Sequence, residues 1–346
     1  MRRSDAYEAR ARELAVAAGQ DPNARVERPG LKSMPVWCTY RDAARAEHLA
    51  AEAAALVLPP QAPAFQNATL QVFGQHDDAT IAQMRNCMGV GNVVAGVVCA
   101  DGHLGYAQPV GGVIAYERQV SISGVGFDIG CGNMAVRLDT PYADVKDRAG
   151  AILDDVGRVI SFGIGRRYIA AMQLAGRYSY AGREWVVERV RQIIGGTVTD
   201  LVHNHHNYAW RETHDGRDLW VVRKGATPAF PGQRGFVGGS MGDDAVIIED
   251  VDSPRARASL YSTVHGAGRL FGRKQAKQLF AREQMDAWLR ERGVLLAGGD
   301  LDESPMAYRR LPEVLAQHAG TIRVLHTLRP FAVAMAGKTE SDPFRD

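Results

Sequence analysis

The sequence predicts an α+β chain, a single mixed domain in which short strands form central sheets and helices are added at the N-terminus and between strands. Three observations carry this. From residue 69 onward, apolar runs of four to eight residues alternate with glycine, the texture of strands bounded by turns. Longer stretches place apolar residues at helical spacing. No linker, low-complexity tract or internal repeat interrupts the 346 residues. With 46% hydrophobic and 23% charged residues the composition is that of a globular protein. A net charge of +2 neither demands nor excludes a nucleic-acid partner, since a basic groove can sit within a neutral total. Four cysteines (38, 87, 99 and 131) without C-x-x-C spacing fit a reducing compartment. No apolar h-region follows Met1 and no apolar run reaches 18 residues, so a cytoplasmic location is expected.

Taken in order, residues 1–68 read as an N-terminal helical region packed on the core, and 69–346 as the strand-rich domain that holds the candidate chemistry. A helix is predicted over 5–19, a short strand over 34–38, and an alanine-rich helix over 41–58 that Pro59 stops. His48, in that helix, reads as a solvated surface residue. Strands are predicted over 69–73, 92–99, 110–116, 120–123 and 134–138. Asp101 and His103, in a turn beside a glycine-rich strand, suit a site wall or a turn in which Asp101 bonds its own backbone. Helices follow over 144–162 and from Tyr168. Val186, Val187, Val190, Ile193 and Ile194 form the buried stripe of the second, and Gly195-Gly196 stops it. Strands are predicted over 218–224, 245–249 and 331–336, and one helix over 274–292.

Several stretches carry chemistry. Asp128 and Cys131, a hard and a soft ligand three residues apart, lie among glycines 124, 126, 130 and 132. Such a backbone can turn tightly enough to aim both at one point, and the mixture suits a borderline ion. His203, His205 and His206 fall within four residues. In a strand 203 and 205 share a face and 206 points away; in a helix 203 and 206 share one. A metal or phosphate role is expected there. Arg223-Lys224, at a strand end before Gly225, suits phosphate. The small-residue loop 236–242 offers backbone amides to an anion but is not a P-loop. His265, followed by Gly266, Ala267, Gly268 and Arg269, is open to close approach. An imidazole near its reference pKa of ~6.5 serves as nucleophile or base.

Together these stretches resemble the RtcB family of RNA ligases over most of residues 70–338. The resemblance rests on Asp-Gly-His-Leu-Gly-Tyr (101–106), Gly-Val-Gly-Phe-Asp-Ile-Gly-Cys-Gly (124–132), His-His-Asn-Tyr (205–208), Arg-Lys-Gly-Ala-Thr (223–227), Gly-Ser-Met-Gly (239–242) and His-Gly-Ala-Gly-Arg (265–269), in the family's order. It implies a fold of the RtcB type and a GTP- and Mn²⁺-dependent ligase that joins an RNA 3′-phosphate or 2′,3′-cyclic phosphate to a 5′-hydroxyl. His265 matches the nucleophile that forms a guanylyl-histidine. Asp128, Cys131 and His206 match metal ligands. Gly239, Ser240 and Met241 match the loop at the nucleotide, and Lys338 a lysine at the guanine. Gly266, Ala267, Gly268, Arg223, Lys224 and Arg269 are expected around the nucleotide and its phosphates.

The chain departs from the family in one respect. It lacks the family's Gly-Asn-His and His-x-Gly-Ser-Arg stretches, each the source of one metal-binding histidine; no histidine lies between His103 and His203. The missing stretch falls near Arg167–Tyr168, either a true deletion or a segment absent from this sequence, and His203 and His205 stand as candidate replacements. Two alternatives accompany the ligase: a homologue that binds nucleotide or RNA ends without ligating, and a metal-dependent phosphate-ester hydrolase.

Overall fold

A computed structural model describes residues 3–26, 34–40, 44, 68–126, 128–159 and 170–335. The predicted helix over 41–58, the junction at Arg167–Tyr168 and Lys338 lie outside the described residues. The chain divides into two compact units, Met1–Ala62 and Pro63–Asp346.

In the first unit, helix α1 (Arg3–Ala17) ends two residues before the predicted boundary, and Gly19 takes a left-handed φ of +72°. Strands β1 (Arg25–Val26) and β2 (Met34–Pro35) pair antiparallel. A 3-10 turn over Val36–Tyr40 replaces the rest of the predicted strand. It sets the Trp37 ring under the Arg12 guanidinium, 5.1 Å from its centroid.

The second unit is built on a five-stranded sheet. Its strands are β3 (Thr69–Val72), β4 (Val93–His103) and β5 (Val110–Tyr116), joined later in the chain by two more. Helix α2 (Asp78–Met88) links β3 to β4, and Asp77 caps it through Thr80 N. The predicted strand over 120–123 is a helical turn instead, α3 (Ile122–Val125), because Ser121 Oγ accepts from Gly124 N and caps it. Then come β6 (Gly132–Leu138), α4 (Tyr142–Val145), α5 (Ala149–Val159) and the long α6 (Ala170–Ile194). The histidine-rich stretch is a pair of strands, β7 (Val198–His205) and β8 (Asn207–His214), followed by β9 (Arg217–Lys224). The sheet order is β3-β4-β5-β9-β8, with β3 and β4 parallel and the rest antiparallel, while β6 and β7 form a separate ribbon.

The remainder folds against one face of that sheet. Strand β10 (Ala226–Pro228) lies ahead of β11 (Arg234–Val237) and β12 (Ala245–Asp250). Helix α7 (Pro254–Ala258) leads into β13 (Ser262–Val264), which pairs with β10. The single predicted helix over 274–292 is two, α8 (Arg273–Leu279) and α9 (Arg282–Glu291), broken where Phe280 is extended. After β14 (Leu295–Ala297) and α10 (Leu311–Ala316), strand β15 (Ile322–Leu328) completes a three-stranded sheet with β12 and β11, and β16 (Ala332–Ala334) runs parallel to β14.

The period of two along the strands divides the core. Val97, Cys99, Val113, Ala115 and Val221 point to one face, where they meet Val237, Ile248, Val264 and Leu311. Val98, Ile114, Tyr116 and Val222 point to the other, against Met84 of α2, Val125 of α3 and Met172 of α6. Both faces are covered, which is why β4 and β5 read as continuous apolar runs rather than as an alternation. Among the described residues no helix is long and apolar enough to cross a membrane.

Candidate functional site

His265 follows β13, and the β10–β13 pairing brings it beside the end of β4. There Asp101, wholly buried, accepts a hydrogen bond from the His265 backbone N (3.1 Å), and its Oδ2 lies 2.6 Å from His265 Nδ1. Burial would lower the His265 pKa, but the Asp101 charge and hydrogen bond override it and the net shift is upward. Asp101 responds in kind: burial would raise it, His265 pulls harder, and it stays ionised. The His265 side chain keeps 23% exposure, with Nδ1 against Asp101 and the Gly225 backbone also bonded to the ring. Asp101 lies within β4, and its carboxylate meets His265 rather than its own turn.

Glycine is required where the His265 loop crosses Asp101. Gly268 has φ +74°, and a Cβ there would stand 2.4 Å from the Asp101 carbonyl oxygen. Gly266 bridges to Gly238, which brings the His265 loop against the loop at 239–241, and Ala267 is buried. Gly239, Ser240 and Met241 line a cavity of about 460 Å³ together with Phe236, Glu303 and Tyr308. That volume suits a nucleoside-sized ligand. Ser240 Oγ donates to Asp243, which Arg310 pairs in turn at 2.9 Å. The nucleotide loop expected from sequence and the histidine thus share one neighbourhood.

Three expected phosphate partners are committed elsewhere. Arg223 is 0% exposed. It forms a fork with Glu212, donates to Ser262 Oγ and the Leu260 carbonyl, and lies over Trp210. No ligand reaches it, and the phosphate expectation is corrected to a structural tie. Lys224, 3% exposed, donates to the carbonyls of Tyr106 and Gln108, with its Nζ 3.5 Å from the Tyr106 ring centroid. It too is spent on the chain. Arg269 donates to the Phe271 and Asp302 carbonyls and to Tyr308 Oη, so it fastens the loop after His265 rather than facing a ligand.

On β7 and β8 the strand alternative holds. His203 and His205 share a face and both meet Tyr180 of α6; His206 turns to the other side, its ring centroid 4.7 Å from that of His265. Burial first, then the charges of His265, Arg183 and His205, push the His206 pKa well down, so this imidazole is neutral at pH 7. Its Nδ1 is buried without a hydrogen-bond partner. Asparagines fix the surroundings. Asn207 accepts from Gly225 N and donates to the Asp128 carbonyl, Asn133 donates to the carbonyls of Phe236 and His265, and Asn204 accepts from Phe236 N.

The loop 128–131 is held from two sides. Gly130 N donates to the Asn207 carbonyl and His206 N to the Cys131 carbonyl. From α6, Ser179 Oγ donates to Ile129 O and Arg183 Nη1 to Gly130 O. Burial, followed by the Asp128 charge and hydrogen bond, raises the Cys131 pKa far above the usual thiol range. Cys131 is therefore a neutral thiol directed at Asp128.

The manganese that the resemblance implies does not fit these donors as they stand. Among the described residues no three His, Cys, Asp or Glu side chains group closely enough to hold a metal ion. The Cys131 thiol lies toward Asp128 and the His206 backbone N bonds the Cys131 carbonyl, but the side chains of Asp128, Cys131 and His206 do not form such a group. Nor do His203 and His205 replace the missing ligands, because both face the Arg183 guanidinium. Among the residues gathered here, Arg183 is the one to which the motifs assign no role. Asp101 was visible as part of a motif, whereas nothing in the spacing marks Arg183.

The family model of the tRNA-splicing ligase RtcB matches this chain over residues 83–167 and 159–336. Its two segments meet where the middle histidine stretches are missing. The chain is 37% identical over 176 residues to the RNA-splicing ligase RtcB of Escherichia coli (strain K12), covering 47% of this chain and 42% of that relative. It is 35% identical over 193 residues to the RNA-splicing ligase RtcB of Mycobacterium tuberculosis (strain ATCC 25618 / H37Rv), covering 48% and 44%. It is 30% identical over 202 residues to the tRNA-splicing ligase RtcB of Thermococcus kodakarensis, covering 49% and 42%. The match thus spans less than half the length of these relatives. With the motifs in order and the family model covering most of its length, the chain belongs to the RtcB family.

Proposed function

We propose that this chain joins RNA ends, with His265 as the nucleophile and GTP as co-substrate, sealing a 3′-phosphate or 2′,3′-cyclic phosphate to a 5′-hydroxyl. The observation that carries this reading is the His265–Asp101 pair. A buried carboxylate on Nδ1 fixes the ring and compensates the positive charge that Nε2 acquires as it bonds to phosphorus. Neutral His206, beside it, adds no repulsion to that charge. In the first step Nε2 displaces pyrophosphate from the α-phosphorus of GTP, and the cavity at Gly239–Met241 receives the nucleoside. No step is drawn through a metal, because the donors present do not form its site.

The test is incubation with α-labelled GTP, with and without Mn²⁺. The expected result is a protein–GMP adduct that is acid-labile and alkali-stable and is missing in His265→Ala. GTP binding without an adduct would overturn the ligase reading. It would favour the second reading, a homologue that binds RNA ends without ligating, which the lack of convergence of Asp128, Cys131 and His206 supports. Phosphate released from RNA ends without an adduct would instead identify a hydrolase.

A further inference from the structure

We infer that Arg183 is the resident cation of the Asp128–Cys131 loop, so that a guanidinium of the chain itself stands where a divalent metal would be held. The inference is independent of the proposed ligase activity. Three contacts define the position. Arg183 Nε donates to His203 Nε2 at 2.7 Å, Nη1 donates to Gly130 O at 2.8 Å, and Nη2 lies 3.1 Å from His205 Nδ1. His205 Nδ1 is also 2.7 Å from Gly130 O, so one carbonyl gathers both the imidazole and the guanidinium. The Tyr180 ring lies under the guanidinium, 5.0 Å from centroid to Cζ. Asp128 and Cys131 are both within its electrostatic reach.

The arrangement meets the same demands as a metal. The Asp128 carboxylate gains a fixed counter-charge, and the Gly130 carbonyl and the His203 lone pair each gain a donor. It also consumes them. A His203 Nε2 that accepts from Arg183 has no lone pair left for an ion. A fixed positive charge beside the loop opposes the entry of a second one. The chain that lacks two of its family's metal-binding histidines thus carries, on α6, a side chain that bonds His203 and lies against His205, the two candidate replacements.

Electron paramagnetic resonance of Mn²⁺ tests this, since bound ion drops out of the six-line signal of the free ion and the readout needs no turnover. Titrated into the full chain, Mn²⁺ is expected to stay free. Arg183→Ala and Arg183→Gln are expected to take it up at least roughly tenfold more tightly, and the gain is expected to vanish when Cys131→Ser is added. The Gln variant keeps length and donors while dropping the charge, and circular dichroism checks that each variant folds. Stoichiometric uptake by the wild-type chain that Cys131→Ser removes would overturn the inference, as would folded Arg183 variants that bind no better than wild type. A wild-type chain that leaves Mn²⁺ free and forms no GMP adduct leaves this inference standing and sinks the ligase reading alone.

Discussion

At the scale of single residues, the site depends on what Asp101 does to His265. In the proposed reaction, a protonated imidazole has no lone pair to attack with, so labelling is expected to be lost as pH falls through the His265 pKa. Asp101 raises that pKa, and burial alone would lower it. Asp101→Asn should therefore shift the acid limb of the pH–rate profile for GMP labelling to lower pH. It should also reduce the plateau rate by roughly 10²–10⁴-fold, because the ring loses its orientation and its counter-charge. The initial labelling rate across the pH range reads both effects, and an unmoved inflection would show that Asp101 does not control the titration. His265 could be picked out from its glycine neighbours, and Asp101 from its motif. Arg223, Lys224 and Arg269 were misread because their partners are remote or are backbone atoms. The carboxylate that neutralises Arg223 sits on the preceding strand, and the carbonyls that hold Lys224 belong to residues 106 and 108. Nothing local in the sequence shows that a cation is already satisfied.

At the scale of elements, the same loop that exposes His265 must pack its own backbone onto β4. Gly268→Ala forces a Cβ to within 2.4 Å of a carbonyl oxygen at φ +74°. The neighbour is backbone, so relief requires moving the Asp101 strand or the His265 loop. The expected cost is on the order of 2–4 kcal/mol, with loss of labelling beyond what the stability change explains. Gly150→Ala, in α5 with nothing near its Cβ, is the control and should stabilise by about 0.5–1 kcal/mol. Urea unfolding of both variants checks this; equal midpoints would refute the packing argument. Strands β4 and β5 were legible because burial on both faces leaves an unbroken apolar run. The strands flanking His206, the first of which carries His203 and His205, were not, since either period brings imidazoles together and only pairing with β6 and β9 decides between them. The break between α8 and α9 escaped notice for a related reason. The apolar stripe Met285, Trp288 and Leu289 belongs to the second helix alone, while Phe280, at the break, packs edge-on against Phe271 at 5.7 Å.

At the scale of the whole molecule, stability should depend on pH through a buried carboxyl, Asp250, that takes no part in the candidate site. Asp250 closes β12 at 2% exposure, and neither side-chain oxygen has a hydrogen-bond partner. Burial, and then the charge of Glu249, push its pKa from 3.8 up to about 8. The folded chain therefore holds this proton more firmly than the unfolded chain does. Below pH 3.8 both forms are protonated and the contribution is fully present. As pH rises the unfolded chain ionises first, and stability drains away until the folded carboxyl ionises near pH 8. Asp250→Asn removes the titration. It should leave stability near pH 4 almost unchanged and raise it at pH 8 by on the order of 2 kcal/mol, less than the full shift implies because burial is relieved by local relaxation. Thermal melts of both chains at matched ionic strength, from pH 4 to pH 8, measure the difference. Parallel curves would mean that Asp250 is ionised and solvated in the folded chain. Diverging curves would mean that β12, whose Val246 and Ile248 pack in the main core, ends on a neutral carboxylic acid that weakens the fold as it loses its proton.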